Sequence, residues 1–501
     1  MKTIYTVVLS LILINLSLTA QTQIGQDIDG EAAWDSSGRS VSLSSNGSIV
    51  AIGAPGNDEN GSHSGHVRVF ENQSGTWVQL GDDIDGEAEG NRSGKSVSLS
   101  SDGSIVAIGA DINNGNGDSS GHVRVYENQS GTWTQLGDDI NGEAAYDFSG
   151  TSVSLSSDGQ IVAIGAHGNK ENGQDSGHVR VYKNMSGTWV QLGGDIDGEA
   201  AGDYSGVAVN LSSDGTIVAI GATWNSGKNG SYSGHVRVYV YQFENWTQIG
   251  QDIDGEAGGD NSGSVLSLNN DGNIVAIGAD QNSGNGTNSG HVRVFENQSG
   301  TWVQLGGDID GKEAYERSGR SVSLNGDGTI VAVGVHGNMQ MGSQSGIVRT
   351  YKNISGSWIQ NGVDIEGEFD PGEYIFYSNV VSLSTDGATL GIGTLGNDGN
   401  GIESGHVRVY DTTTTLNIKP STITADISIY PNPTVNQIYI KSNLAMAVIS
   451  IYDVNGRLLN TKTLSSPKID SQIDTSYLSK GLYFIEIQTG KSKQHYKIIK
   501  K

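Results

Sequence analysis

Apolar residues recur along most of the chain in short alternating or continuous runs, separated by polar turn residues. Four such runs follow one another between Arg39 and Asp82. Arg39–Ser44 alternates small serines with Val41 and Leu43, and Ser48–Ala54 is nearly continuous aliphatic, as in a strand buried on both faces. Gly65–Phe70 sets Val67 and Val69 against His66, Arg68 and Phe70, and Thr76–Asp82 carries Trp77. Period-two alternation bounded by Gly, Asn, Asp and Ser predicts four strands. Between the first two lies Asn46-Gly47, which becomes Asp-Gly in later copies. Such pairs accept positive φ and close tight hairpins.

The four-strand unit repeats. The marker Gln-(Leu/Ile)-Gly-x-Asp-Ile-(Asp/Asn)-Gly begins at Gln23, Gln79, Gln135, Gln191, Gln248 and Gln304, and in degenerate form at Gln360. Successive copies are 56, 56, 56, 57, 56 and 56 residues apart. Seven units of four antiparallel strands predict an all-β fold, a seven-bladed β-propeller over residues 21–410. The ends of the array decide against an open solenoid. The chain enters on an outer-strand pattern, Thr22–Ile28, and leaves after a third strand, Gly405–Tyr410, with no Trp strand after it. Pairing these two segments closes the ring and removes an exposed edge.

Composition and charge refine this picture. Glycine is abundant at 73 residues, proline scarce at 6, and cysteine absent, so core burial rather than disulfides holds the chain together. Residues 1–20 combine Lys2, an apolar run and the small Ala20, and are expected to be a secretory signal peptide. Residues 21–420 hold 18 basic against 50 acidic residues, whereas residues 421–501 hold ten basic against five acidic. The acidic excess argues against nucleic-acid binding, which needs cations on phosphates. The opposite charges also divide the chain in two, with a Thr-rich linker at residues 411–426.

Ser149-Gly150-Thr151-Ser152-Val153, Gly53-Ala54-Pro55 and Gly65-His66-Val67-Arg68-Val69 resemble the FG-GAP repeat, the blade of integrin α-type propellers and many bacterial surface proteins. The resemblance covers the seven units and implies the fold more firmly than an activity. That family often carries a calcium loop, Asp-x-Asp-x-Asp-Gly, between its first two strands. Here the place reads Ser100-Ser101-Asp102-Gly103, and one carboxylate cannot supply the six to eight oxygens calcium takes.

Residues 427–501 resemble the C-terminal sorting domain of type IX secretion cargo in Bacteroidetes-type bacteria. The motifs are Tyr430-Pro431-Asn432-Pro433, Asn455-Gly456-Arg457 and Gly481-Leu482-Tyr483, in that order. The resemblance implies the type IX machinery as a partner and a destination in the medium or on the outer-membrane surface, reached through the periplasm. The segment itself reads as a small β-sandwich-like domain of alternating short strands.

Candidate chemistry divides into repeated and unrepeated residues. The Trp series from Trp77 to Trp358 and the Arg series from Arg68 to Arg408 recur once per blade and predict inter-blade packing and pairing. The His series from His66 to His406 is interrupted by Ile347, which argues for structure rather than metal. No cofactor is expected; calcium at stretches such as Asp83–Asp85–Glu87 is the open alternative. Unrepeated residues cluster in the loops from fourth to first strand and from second to third, which share one rim. There Trp34, Tyr146, Tyr204, Trp224, Tyr315 and Tyr374 stud an acidic surface. That rim is the candidate face for surface glycans or proteins. The expectation is a monomeric, non-enzymatic binding or adhesion propeller, with no catalytic set in evidence. The alternative is a polysaccharide hydrolase or lyase using rim carboxylates.

Overall fold

A computed structural model describes residues 21–337, 346–367, 379–413, 427–454, 457–489 and 492–501. The expected signal peptide, the blade-seven loop with Tyr374, most of the linker and Asn455-Gly456 lie outside these residues. The chain divides into two compact units, Met1–Leu416 and Asn417–Lys501.

The first unit is a seven-bladed propeller. In blade one, Ser40–Leu43, Ile49–Ala54, His66–Gln73 and Thr76–Gln79 stand side by side in that order. The outer strand is broken, and its second piece, Ile84–Asp85, pairs with the same third strand. Gly81 turns the chain at the break with φ +80°, and a Cβ there would meet the Gly131 carbonyl oxygen at 2.7 Å. The nearly all-aliphatic second strands lie in the middle of each blade and are almost wholly buried, as their unbroken apolar runs require.

Each core is an interface between blades. Val50, Ile52 and Trp77 of blade one pack against Ile28, Val407 and Val409 of the closing blade. Every indole N–H in the Trp series donates to a carbonyl one blade back: Trp77 to Ile24 at 2.8 Å, Trp133 to Leu80 at 2.7 Å. The predicted closure is present. Thr22 and Gln23 pair with Asp411 and Tyr410, and Ile28 and Asp29 with Val407 and His406, so the N-terminal segment completes blade seven.

At the end of the axis where first strands turn into second strands, two hydrogen-bond circuits run round the ring. In one, Ser45 N–H donates to Ser101, Ser101 to Ser157, Ser157 to Ser213, and so through Asn270, Gly326 and Thr385 back to the Ser45 carbonyl, at 2.7–2.9 Å. In the other, a Ser or Asn side chain accepts from the leucine N–H of the next blade, as Ser98 Oγ does from Leu155 at 2.9 Å. Serine alternating with apolar residues in the first strand thus has a physical reason: the apolar positions face neighbouring blades while the small hydroxyl reaches across the crowded axis.

The second unit is one curled antiparallel sheet around Ile438, Ile440, Ile449, Ile451, Ile485 and Ile487. Its strands are longer than the expected short ones. Gln437–Tyr452 and Leu458–Asp474 run for 16 and 17 residues and bend at register shifts, which lets a single sheet wrap its own core.

Candidate functional site

The rim residues sit where the loops of the fourth-to-first and second-to-third connections converge on one face. Trp34, Tyr146, Trp224 and Tyr315 are exposed, from 37% for Tyr315 to 54% for Trp34. Trp34, Tyr146 and Tyr315 hold left-handed backbone at φ +72°, +66° and +65°, where the equivalent blades carry Gly90, Gly202 and Gly259. A bulky residue there costs roughly 1–2 kcal/mol relative to glycine, so three blades spend stability on presenting an aromatic ring.

The structure brings only some of these rings together. A ladder of rings runs Phe148, His167, Tyr204, Trp224, Tyr232, with centroids 5.1, 5.5, 4.3 and 5.8 Å apart; the first two pairs are stacked, the third is tilted and the last meets edge-on. It spans the neighbouring loops of blades three and four. Trp34 and Tyr315 stand apart on their own blades, and Tyr146 lies under the Lys170 ammonium, 5.2 Å from its ring centre. The reading of the sequence missed His167 and Tyr232 as members. The signal was present in His167, which replaces the proline of Gly53-Ala54-Pro55 in its blade.

Part of the rim's acidity is turned inward, while Glu31, Glu87 and Glu143 of the same loops stay exposed. Asp35, Asp147, Asp203, Asp260 and Glu316 are buried, because their carboxylates close their own loops. Asp35 Oδ2 accepts from the Glu31 and Ala32 N–H groups at 3.1 and 2.9 Å, and Asp147, Asp203 and Asp260 repeat the bond to Ala144, Ala200 and Ala257. These groups are not free to meet a ligand.

Deeper in the same face, the mouth of the axial channel forms a cavity of about 530 Å³. In six blades the residue four positions before the leucine of the first strand lines it, and that residue differs from blade to blade: Arg39, Lys95, Thr151, Val207, Ser264 and Arg320. Lys95 lies 3.8 Å from Asp111 and Arg320 lies 3.4 Å from Asp280. Burial, then the Lys95 charge, lowers His167 to about 4, so the ladder imidazole is neutral at neutral pH. Trp224 lines this cavity as well as the ladder.

The repeated His and Arg side chains form a belt of ionic groups between blades. His66 Nδ1 lies 3.2 Å from Asp83 and 3.9 Å from Glu31, while Arg68 reaches Glu31 at 3.4 Å and donates to the Asp29 carbonyl at 2.6 Å. Burial first, then the adjacent arginine, lowers His122 and His291 to about 4. The Asp83–Asp85–Glu87 stretch is divided: Asp83 faces His66, whereas Glu87 lies 4.0 Å from His122 and 3.7 Å from Arg124 of the next blade. Within one stretch the carboxylates diverge, but across stretches they meet: ligand atoms of Glu31, Glu59, His66 and Asp83 lie within 4.8 Å of one another. In the turn after the first strand, Asp102 Oδ1 accepts from Ser100 Oγ and from both donors of Ser104, so the lone carboxylate is spent on the turn.

In the second unit, Tyr430 stacks on Tyr439 with centroids 6.0 Å apart. Asn432, flanked by Pro431 and Pro433, bridges to the last strand by donating to the Lys497 carbonyl at 2.8 Å and accepting from the Ile499 N–H at 2.9 Å. Arg457 pairs with Asp453 at 3.1 Å, and Gly481, Leu482 and Tyr483 open the strand Gly481–Thr489, where the Tyr483 hydroxyl donates to the Ser479 carbonyl at 2.9 Å. The Pro-Asn-Pro motif and the C-terminal strand are thus one hydrogen-bonded corner.

Comparison with known proteins places both units. Residues 28–70 and 141–182 match the FG-GAP repeat family, and residues 428–501 match the secretion system C-terminal sorting domain. The sorting domain marks export by type IX secretion to the cell surface or the extracellular space. No curated protein matches the chain. Among solved structures, it is similar to the periplasmic gluconolactonase of Pseudomonas aeruginosa, with 16% identity over 81% of this chain and 94% of that one, at a TM-score of 0.45. It is also similar to the GH74 xyloglucanase of Xanthomonas campestris, with 9% identity over 79% of this chain and 54% of that one, at a TM-score of 0.46. Neither likeness carries an activity across.

Proposed function

We propose that this chain, which joins an FG-GAP-repeat propeller to a type IX secretion sorting domain, is a binding or adhesion protein whose ligand face is the aromatic loop face. The observation that carries this reading is the ring ladder through Tyr204 and Trp224, with Trp224 and Tyr232 exposed at its end. Exposed ring faces are costly in water and serve as anchors for sugar faces or partner side chains. The positive-φ aromatics Trp34, Tyr146 and Tyr315 add a second sign that exposure is maintained against backbone preference. The role read here is non-enzymatic, with Asp35, Asp147 and Asp203 bound into their own turns.

A glycan array probed with the purified propeller tests the reading. Binding is expected, and Trp224→Ala is expected to weaken it by ~1–3 kcal/mol, the range for loss of one stacking ring, with the melting temperature little changed. Absence of binding to every glycan, or full binding by a Trp34→Ala/Trp224→Ala double variant, overturns it.

A further inference from the structure

The propeller carries a large acidic excess, yet its channel mouth gathers cations. Arg39, Lys95 and Arg320 line one cavity, and Arg92 lies close enough to act on both Arg39 and Lys95. Lys95 and Arg320 each have an aspartate, Asp111 and Asp280. Arg39 has no side-chain hydrogen bond or ion pair among the described residues. Its burial, then the repulsion of Arg320, lowers its pKa; the Asp111 charge offsets part of this, and Arg92 adds to it. A guanidinium offers a planar fork of donors that matches a carboxylate or a sulfate, and leaving it partly desolvated without a partner is unfavourable.

The cations occupy blades one, two and six, while Thr151, Val207 and Ser264 fill the same position in blades three to five. The uncharged arc is the side that bears the ring ladder. Trp224 lines the cavity itself, and the ladder residue His167 is near enough to Lys95 to feel its charge. One mouth therefore offers flat aromatic faces on one side and an unpaired cation on the other.

We infer that the channel mouth binds an acidic saccharide, its sugar faces on Trp224 and the adjoining rings and its carboxylate or sulfate on Arg39. This rests on the binding role proposed above and names the ligand class. The surrounding acidic surface repels dense polyanions at a distance, so the site suits a short saccharide with about one charge per sugar rather than a nucleic acid.

Titration of the purified propeller with trigalacturonate, a sulfated chondroitin tetrasaccharide, neutral galactotriose and triglutamate tests this. At least one acidic saccharide is expected to bind tenfold or more tighter than galactotriose and triglutamate, and the two acidic arms tell carboxylate from sulfate. Arg39→Gln is expected to remove that preference without changing galactotriose binding, and Arg39→Lys to keep part of it. Arg320→Gln provides a second reading if Arg39→Gln melts early. Equal affinity for acidic and neutral saccharides, or an unchanged preference in both Gln variants, overturns the inference and leaves the binding face intact. Equal affinity for triglutamate overturns the saccharide part. Binding of none of the four, with a blank glycan array, removes the proposed function as well.

Discussion

The two ends of the propeller axis are built from the same repeated strand, yet only one end is symmetric. At the turn end, Ser44-Ser45 and its counterparts hand a hydrogen bond from blade to blade round a closed circuit, and the space left is about 190 Å³. At the loop face, the position four before the same strand's leucine carries Arg39 in one blade, Val207 in another and Ser264 in a third, around about 530 Å³. The circuit runs through backbone N–H and C=O groups that every blade supplies, so it closes even where Asn270, Gly326 and Thr385 stand in place of serine. A recognition site needs an asymmetric set, so the repeat is allowed to vary. Separating the two jobs along one strand lets the mouth change without loosening the ring.

The largest expected effect comes from opening the ring on which both ends depend. Removal of residues 21–30 takes away the two closing strand pieces, buried Ile28, and the acceptors of Trp77 and Arg68 at Ile24 and Asp29. With ~1 kcal/mol for each of several hydrogen bonds and ~2 kcal/mol for the isoleucine, the loss exceeds about 5 kcal/mol. Thermal melting of the shortened propeller checks this. An unchanged melting curve shows that the hydrogen-bond circuit at the turn end closes the ring unaided.

Between the ends, the belt of histidines and carboxylates makes the fold acid-sensitive. Burial and Arg293 hold His291 at about 4 in the fold, below the ordinary 6.5. The unfolded chain then binds the extra proton first, so stability falls as pH drops from about 6.5 to about 4 and is independent of this group above that window. The limit is about 3 kcal/mol at 1.36 kcal/mol per pH unit. Glu256 and Asp310, raised mainly by burial, oppose the trend, so the clean comparison is with His291→Ile, the residue that blade six carries at Ile347. The melting temperature of the variant is expected to fall less between pH 6.5 and 4. Parallel curves for the two proteins would show that His291 does not titrate in this way.

How much of this was legible in the sequence depends on what each residue answers to. Repetition revealed the blades, the ring closure and the roles of Trp77 and Arg68, because a contact made seven times leaves seven copies of its signature. The sorting domain was legible from its motifs, but not the length of its strands, since bulges rather than turn residues bend them. The rim aromatics were legible as departures from the repeat. Their grouping was not, because stacking depends on which loops of adjacent blades meet, as His167 and Tyr204 do. Nor was the fate of Asp35, which lies beside Trp34 in the variable loop and is a loop-closing group in the fold. Arg39 was passed over as the polar start of a strand, since only the closed ring shows that this position faces the axis.

A smaller effect separates the two ends directly. Ser98 Oγ accepts from the Leu155 N–H at 2.9 Å, so Ser98→Ala leaves a buried donor without its partner at the turn end. The cost is about 1–3 kcal/mol. Thr151→Ala, four positions before Leu155 in blade three and at the channel mouth, is expected to stay within about 0.5 kcal/mol. Denaturant unfolding of both variants measures the difference, and equal losses would erase the division of labour between circuit and mouth.

The smallest expected effect has the opposite sign. Arg39 is partly desolvated and repelled by Arg320 and Arg92; the Asp111 charge offsets only part of this, and Arg39 makes no ion pair among the described residues. Arg39→Gln keeps much of the side-chain stem while removing the charge, so the empty propeller is expected to gain stability, by up to about 1 kcal/mol. The gain is electrostatic, so it should shrink as salt screens the three cations. Thermal melts of wild type and variant at low and at molar salt read both features. A binding site that is strained when empty behaves in this way, whereas an arginine that braces the fold loses stability on substitution at either salt. A destabilised Arg39→Gln would therefore place Arg39 with the scaffold, and the loop face would keep its aromatic rings as the only feature set against the symmetric turn end.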